Sequence, residues 1–309
     1  MTPIILFSLP RAGSTLLQRQ LASHKEISTT SEPWLLLPLI YALKPDGVCS
    51  EYSHTVAVTA LKEFIDKLDE KELGYEQELR KFILRLYSMA CRNNEEYFLD
   101  KTPRYNLVAD EVYNLLPNAK FIYLWRNPLS IIASMIETWG GGRWNIFRFE
   151  SDLKKGLNNM ISSYKTNKDK AISIKYEDAI CDTKGELSKI FSYLNLEQPV
   201  DIESLFVKVK LSGSMGDPTG VKKYSAISRE PLDKWKSTLG GPLRKLWCKK
   251  YLHEIGDANL KVMGYSLSDL IKELDATPIT LRNITADAYY MSKGQLRKLI
   301  KTRLNGFSS

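Results

Sequence analysis

The sequence predicts an α/β fold in three layers: a central, mainly parallel sheet, helices on both faces, and a helical cap inserted between the first strands. Three observations predict it. Short apolar runs without a helical polar face recur at residues 4–8, 97–99, 119–125 and 171–175, as buried parallel strands require. Segments with helical periodicity separate these runs, and strands that alternate with helices build a parallel sheet covered on both sides. The composition, 43% hydrophobic over 309 residues, supports a substantial core and shows no sign of disorder or coiled coil.

The elements follow in order. Residues 4–8 form the first strand, and Leu16, Leu17, Gln20 and Leu21 carry an amphipathic helix that starts near Ser14. Residues 26–30 read as a short second strand, and an apolar helix runs from about Trp34 to about Leu43. Two helical stretches, 55–68 and 75–91, make the cap. Residues 107–116 are helical, and 119–125 (AKFIYLW) is the strongest strand, read as a central one. Helices are expected at 129–137, 149–165 and 186–194, with a strand at 171–175. Residues 212–231 read as a long polar loop of the kind that often serves as a lid, and helix returns over 232–253. The chain is read as one domain with a core over 1–265 and a peripheral helical tail over 266–309.

The first loop, Leu9-Pro10-Arg11-Ala12-Gly13-Ser14-Thr15, carries the first functional signal. Pro10 stiffens the turn and Gly13 admits close backbone approach. A strand, a tight loop and a helix start form an anion site, because free N–H groups and the helix dipole point at the anion. The plainer reading is an ordinary helix N-cap. The loop is not a Walker A motif, since Ser14 stands where that motif has its Lys, and this disfavours an ATP-dependent kinase. The second signal is Arg126-Asn127-Pro128 with Ser134 eight residues on. An Arg at a strand end can grip a phosphate through its fork, and Ser134 lies two turns along the next helix. The plainer reading is a strand exit followed by a small packing serine.

Whole-chain numbers narrow the classes. The net charge of +8 suits a polyanionic ligand, and no nucleic-acid recognition module is visible. Cys49, Cys91, Cys181 and Cys248 are far apart and outside any CxxC pair, so neither structural zinc nor a disulfide framework is expected. No run reaches the ~20 apolar residues of a membrane span, and the N-terminus shows no signal peptide, so a cytoplasmic protein is expected.

Together, PRAGSTLL, the following Ser-Glu-Pro, DKTPRY, the Arg-Asn-Pro element with its Ser, and KYED resemble the PAPS-dependent sulfotransferase family. The nearest branch holds tyrosylprotein sulfotransferases and bacterial stand-alone or polyketide-associated enzymes. The resemblance spans about residues 1–240 and is best over 4–34, 97–136 and 171–178. It implies a P-loop-like fold and transfer of sulfonate from 3′-phosphoadenylyl sulfate to an acceptor hydroxyl, without a metal. Arg11, Ala12, Gly13, Ser14 and Thr15 would bind the 5′ end of the nucleotide, with Arg11 also facing the transferring group. Arg126 and Ser134 would bind the 3′-phosphate, and Tyr176 would lie by the adenine. Lys222 and Lys223 are candidate nucleotide contacts in the long loop. Glu32 falls at the position of the base and Lys101 at that of a lysine beside the transferring group. Without the resemblance, Glu32 is a first-turn acid, and Lys101 sits between two residues, Asp100 and Arg104, that would form surface pairs. Trp139, Arg143 and Trp144, around three consecutive glycines, are candidate acceptor contacts, with Trp34 and Tyr105. The alternative is a glycine-capped helix end with a tryptophan packed on the core. A non-catalytic nucleotide-binding protein remains the alternative from another class.

Overall fold

The computed structural model describes residues 1–209, 211 and 229–306. Five strands form one sheet in the order β2-β3-β1-β4-β5, and every pairing is parallel. They are β1 (Thr2–Ser8), β2 (Ile27–Thr29), β3 (Tyr97–Asp100), β4 (Lys120–Trp125) and β5 (Ala171–Lys175), each where the apolar runs place a strand. β1 is the middle strand and β4 its neighbour, so the strongest apolar run is interior but not central. Ile4, Ile5, Leu6 and Phe7 of β1 and Phe121, Ile122 and Tyr123 of β4 are fully buried, covered on both faces.

The order fixes where a ligand can sit. From β1 the chain goes to the edge strand β2, returns to β3 beside β1, then crosses to the other side through β4 and β5. The reversal lies at the carboxyl ends of β1 and β4, where open α/β sheets form their binding crevice. The loop into α1 (Ser14–Leu21) and the turn into α6 (Pro128–Gly140) therefore face each other.

The cap consists of α3 (His54–Ile65) and α4 (Lys71–Ala90), inserted between β2 and β3. The apolar helix before it, α2 (Leu36–Tyr41), begins two residues later than periodicity suggests. Trp34 has φ +54°, a left-handed conformation that no helix interior tolerates. The helix expected over 149–165 is also divided. Residues Ser151–Gly156 form a π-helical turn before α7 (Leu157–Asn167). A Cβ on Gly156 would lie 2.6 Å from Asn106 Cγ, so this turn packs closely on the residue that follows the DKTPRY segment.

The expected helix over 232–253 is two helices, Glu230–Leu239 and Pro242–Ile255, broken at Gly240-Gly241-Pro242. A Cβ on Gly240 would meet the Pro278 carbonyl oxygen at 2.5 Å. The tail is also more than a peripheral helix. It comprises Leu267–Ala276 and Ile284–Gly306, and Asp287 in the second forms a buried two-point ion pair with Arg244, at 2.7 Å to Nε and 2.8 Å to Nη2. Among the described residues, no helix is long and apolar enough to cross a membrane.

Candidate active site

The loop after β1 is built from left-handed residues. Arg11 has φ +68° and Gly13 φ +92°. The Gly13 carbonyl accepts the N–H groups of Leu16 and Leu17, which starts α1. A Cβ at Gly13 would lie 2.3 Å from Tyr176 Cε2, so the Tyr176 ring edge rests directly on the glycine. Ala12 packs in the core, and Ser14 and Thr15 open the helix. Loop conformation and helix start together give the geometry of an anion cradle.

The two sequence signals meet here. Arg11 Nε donates to Ser134 Oγ at 3.1 Å, and the Arg11 guanidinium lies 5.8 Å from the Trp139 ring centre. The Arg11 carbonyl accepts from Arg126 Nη1 at 2.8 Å, while Arg126 Nη2 donates to the Pro231 carbonyl at 3.2 Å. The Arg126 guanidinium stacks over Tyr176, 4.2 Å from its centroid. Arg126 Nε is buried with no hydrogen-bond partner among the described residues. An unsatisfied buried donor beside a helix-start cradle is the arrangement that an anionic ligand would complete.

Glu177, beside Tyr176, fixes the turn that aims Arg126. Its Oε1 accepts the Asn127 N–H at 2.9 Å and its Oε2 accepts the Tyr265 hydroxyl at 2.5 Å. Asn127 Oδ1 in turn caps α6 by accepting the Leu129 N–H at 2.9 Å. Tyr176 itself is buried against Gly13 and Arg126. Burial raises its phenol pKa, and the Arg126 charge pulls against that rise. It braces the two motifs and offers no open ring face.

Lys101 and Glu32 meet on the β3 side of the loop. Lys101 is 1% exposed, and its Nζ lies 2.9 Å from Glu32 Oε1 and 3.3 Å from Thr15 Oγ1. The other Glu32 oxygen accepts the Trp34 indole N–H at 3.2 Å. A buried ammonium needs such partners, and these tie the carboxylate to the first turn of α1. Lys101 is therefore not a solvated strand-end lysine.

Asp100 and Arg104 do not form surface pairs. Arg104 pairs with buried Asp152 at 3.3 Å. Asp100 is fully buried and accepts from Tyr87 at 2.6 Å, Tyr105 at 2.8 Å and Thr102 at 3.0 Å. Burial pushes its pKa up to about 6, and the three hydroxyl donors pull against that rise.

Two of the expected acceptor contacts are corrected. Tyr105 is fully buried and its hydroxyl is committed to Asp100 and to the Leu36 N–H, so it lines no open pocket. Trp144 is 1% exposed, with its ring 5.5 Å from that of Trp247 and nearly perpendicular to it. It packs in the core after the helix end formed by Gly141 (φ +58°) and Gly142 (φ +78°). Trp34, Trp139 and Arg143 are exposed, and Trp139 bridges Arg11 and Phe149, whose ring centre is 5.3 Å away. Lys222 and Lys223 lie outside the described residues. Among the described residues, no group of three or more His, Cys, Asp or Glu side chains could hold a metal ion.

Comparison with known proteins places the chain in a family. A model of the sulfotransferase family matches residues 3–200, which contain the loop, the base candidate and both arginines. Nodulation protein NoeE of Sinorhizobium fredii (strain NBRC 101917 / NGR234) is 36% identical over 141 residues. That match covers 45% of this chain and 32% of NoeE, so the chain spans about a third of that relative. Among solved structures, the sulfotransferase domain from the Synechococcus PCC 7002 olefin synthase superposes with a TM-score of 0.54 at 23% identity, over 76% of this chain and 87% of that one. The sulfotransferase domain from the curacin biosynthetic pathway gives 0.53 at 24% identity, over 76% and 90%. These likenesses show the P-loop-like fold. With the family model covering the sheet and both sequence motifs, the chain belongs to the sulfotransferase family.

Proposed function

We propose that the protein transfers the sulfonate of 3′-phosphoadenylyl sulfate to an acceptor hydroxyl and releases adenosine 3′,5′-bisphosphate. The observation that carries this reading is the interlock of the two motifs. Arg11 joins them at the α1 start, its side chain donating to Ser134 and its carbonyl accepting from Arg126, and Lys101 ties Glu32 to Thr15 in the same helix turn. One helix-start cradle would suit any phosphate. A second anion element on the next strand, with a buried unsatisfied Arg126 Nε, suits a nucleotide phosphorylated at two separate positions.

In this reaction the acceptor oxygen bonds to sulfur as the bond from sulfur to the phosphate oxygen breaks, and the acceptor proton goes to a base. The chain's residues supply what that requires. The α1 N–H groups, Arg11 and Lys101 stabilise charge on the leaving and transferring oxygens. Glu32 takes the proton at a carboxylate oxygen. Trp34 and Trp139, both exposed near these groups, offer aromatic surface to the acceptor.

Arg126→Ala is expected to weaken binding of adenosine 3′,5′-bisphosphate at least about tenfold, the scale of a lost charge-assisted contact. Binding of the 3′-dephospho analogue should fall much less. Calorimetry on both nucleotides measures this, and equal losses would remove Arg126 from the 3′-phosphate site.

A further inference from the structure

The segment that carries Glu32 is held not only by its side chains but also through its main chain. Trp34 N–H donates to Thr102 Oγ1 at 3.4 Å, and Leu36 N–H donates to the Tyr105 hydroxyl at 3.1 Å. Both hydroxyls spend their single proton on Asp100, Thr102 at 3.0 Å to Oδ1 and Tyr105 at 2.8 Å to Oδ2. The pattern is the same twice: an amide donates to a hydroxyl, and that hydroxyl donates to the carboxylate. Asp100 is the last residue of β3 and the chain neighbour of Lys101. The carboxylate thus links the strand that delivers the lysine to the segment that delivers its partner. That segment includes the left-handed Trp34, a conformation that persists only when its surroundings hold it.

We propose that Asp100 is a positioning residue: its carboxylate orients the Tyr105 and Thr102 hydroxyls so that they hold the main chain of residues 34–36 and thereby fix Glu32 against Lys101. A carboxylate is needed because it only accepts. With Asn at this position, one side of the group becomes an N–H donor. If that side faces Tyr105, the hydroxyl can only accept from it, and its own buried proton loses the acceptor that oriented it. If it faces Thr102, the same loss falls on the Thr102 hydroxyl, which accepts the Trp34 N–H. Either orientation of the amide breaks one of the two links. Tyr87 provides an internal control. It donates to the same Asp100 oxygen at 2.6 Å from α4, but among the described residues it makes no hydrogen bond to residues 34–36.

The effect on turnover rests on the proposed sulfonate transfer; the effect on the backbone does not. The test compares Asp100→Asn, Tyr105→Phe, Thr102→Val and Tyr87→Phe in the full chain. Hydrogen exchange is read at the Trp34 and Leu36 amides, beside turnover and affinity for adenosine 3′,5′-bisphosphate. Tyr105→Phe should speed exchange at Leu36, and Thr102→Val at Trp34. Each should lower kcat by about tenfold, and Asp100→Asn by about 10²-fold, the scale of a misplaced reacting group. Bisphosphate affinity should stay within about twofold, because the nucleotide cradle is made by other residues. Tyr87→Phe should leave amide exchange at 34–36 and kcat within about threefold of the parent, although it removes a bond to the same carboxylate. Unchanged exchange in Tyr105→Phe would overturn the proposal, even if Asp100→Asn does not fold. So would a kcat loss in Tyr87→Phe equal to that in Tyr105→Phe, which would mean that Asp100 serves stability alone. A parent protein that neither binds the bisphosphate nor transfers sulfonate would sink the functional reading instead, while the exchange comparison would still decide the role of Asp100.

Discussion

Glu32→Gln is expected to lower turnover about 10²-fold or more, the scale of a lost general base, while affinity for adenosine 3′,5′-bisphosphate holds. The substitution preserves size and leaves a carbonyl oxygen that can still accept from Lys101, whose Nζ lies 2.9 Å from Glu32 Oε1. What it removes is a basic oxygen able to take the acceptor's proton. The position of Glu32 supports that role. Its carboxylate sits between Lys101, which also reaches Thr15 in the first turn of α1, and the exposed Trp34 indole on the acceptor side. Steady-state kinetics at saturating nucleotide, paired with calorimetry, separate the two effects. Normal turnover would take Glu32 out of the mechanism, and a parallel loss of nucleotide affinity would recast it as a structural partner of Lys101.

Gly13→Ala should abolish useful nucleotide binding, with a loss of about 10²-fold or more, as for a cradle displaced from its working geometry. Two physical costs coincide at this residue. Its φ of +92° is one that an L side chain rarely adopts, costing about 1–3 kcal/mol. The new methyl would also lie 2.3 Å from Tyr176 Cε2 and 2.4 Å from Cδ2. Tyr176 has no easy retreat, because it is buried and the Arg126 guanidinium stacks 4.2 Å from its centroid. The methyl therefore disturbs both motifs together. Calorimetry and a thermal melt would show reduced affinity and a lowered Tm. Full affinity in a well-folded Gly13→Ala protein would show that the cradle tolerates rearrangement and does not depend on this close contact.

The sheet was largely legible in the sequence because its strands are short, apolar and covered on both faces, a pattern that needs no knowledge of partners. Strand rank was less legible. The run at 119–125 is the most strand-like, yet β1 holds the middle place because the chain reverses direction of travel there, a property of topology rather than of composition. The two motifs were legible for a related reason. Each lies at the exit of a buried strand, so finding the strand places Arg11 and Arg126 at the same edge of the sheet. Their mutual contact, across 115 residues of chain, was not visible.

What the sequence concealed is mostly buried polar pairing. Asp100 beside Lys101 and near Arg104 looks like a surface charge cluster. The three residues instead separate into a buried hub, a buried ion pair with Glu32, and a pair with Asp152. Nothing in local periodicity marks Tyr87 or Tyr105 as hydroxyl donors to Asp100. Likewise, Trp144 stands just after three glycines and reads as an acceptor contact, but it lies in the core because α6 runs on to Gly140 and its glycine cap turns the chain inward. Gly240-Gly241-Pro242 is the local signal for the break between the two helices that the sequence reading takes as one. The Arg244–Asp287 pair, which joins the tail to the body, spans 43 residues and leaves no local trace.

The most direct test of the two-phosphate site is calorimetric titration of the purified protein with adenosine 3′,5′-bisphosphate, beside ADP with magnesium. Micromolar binding of the bisphosphate with little binding of ADP is the expected result, because Arg126 and Ser134 would have a 3′-phosphate to hold. Preference for ADP with magnesium would contradict it and would mean that the loop after β1 serves an ATP-dependent reaction.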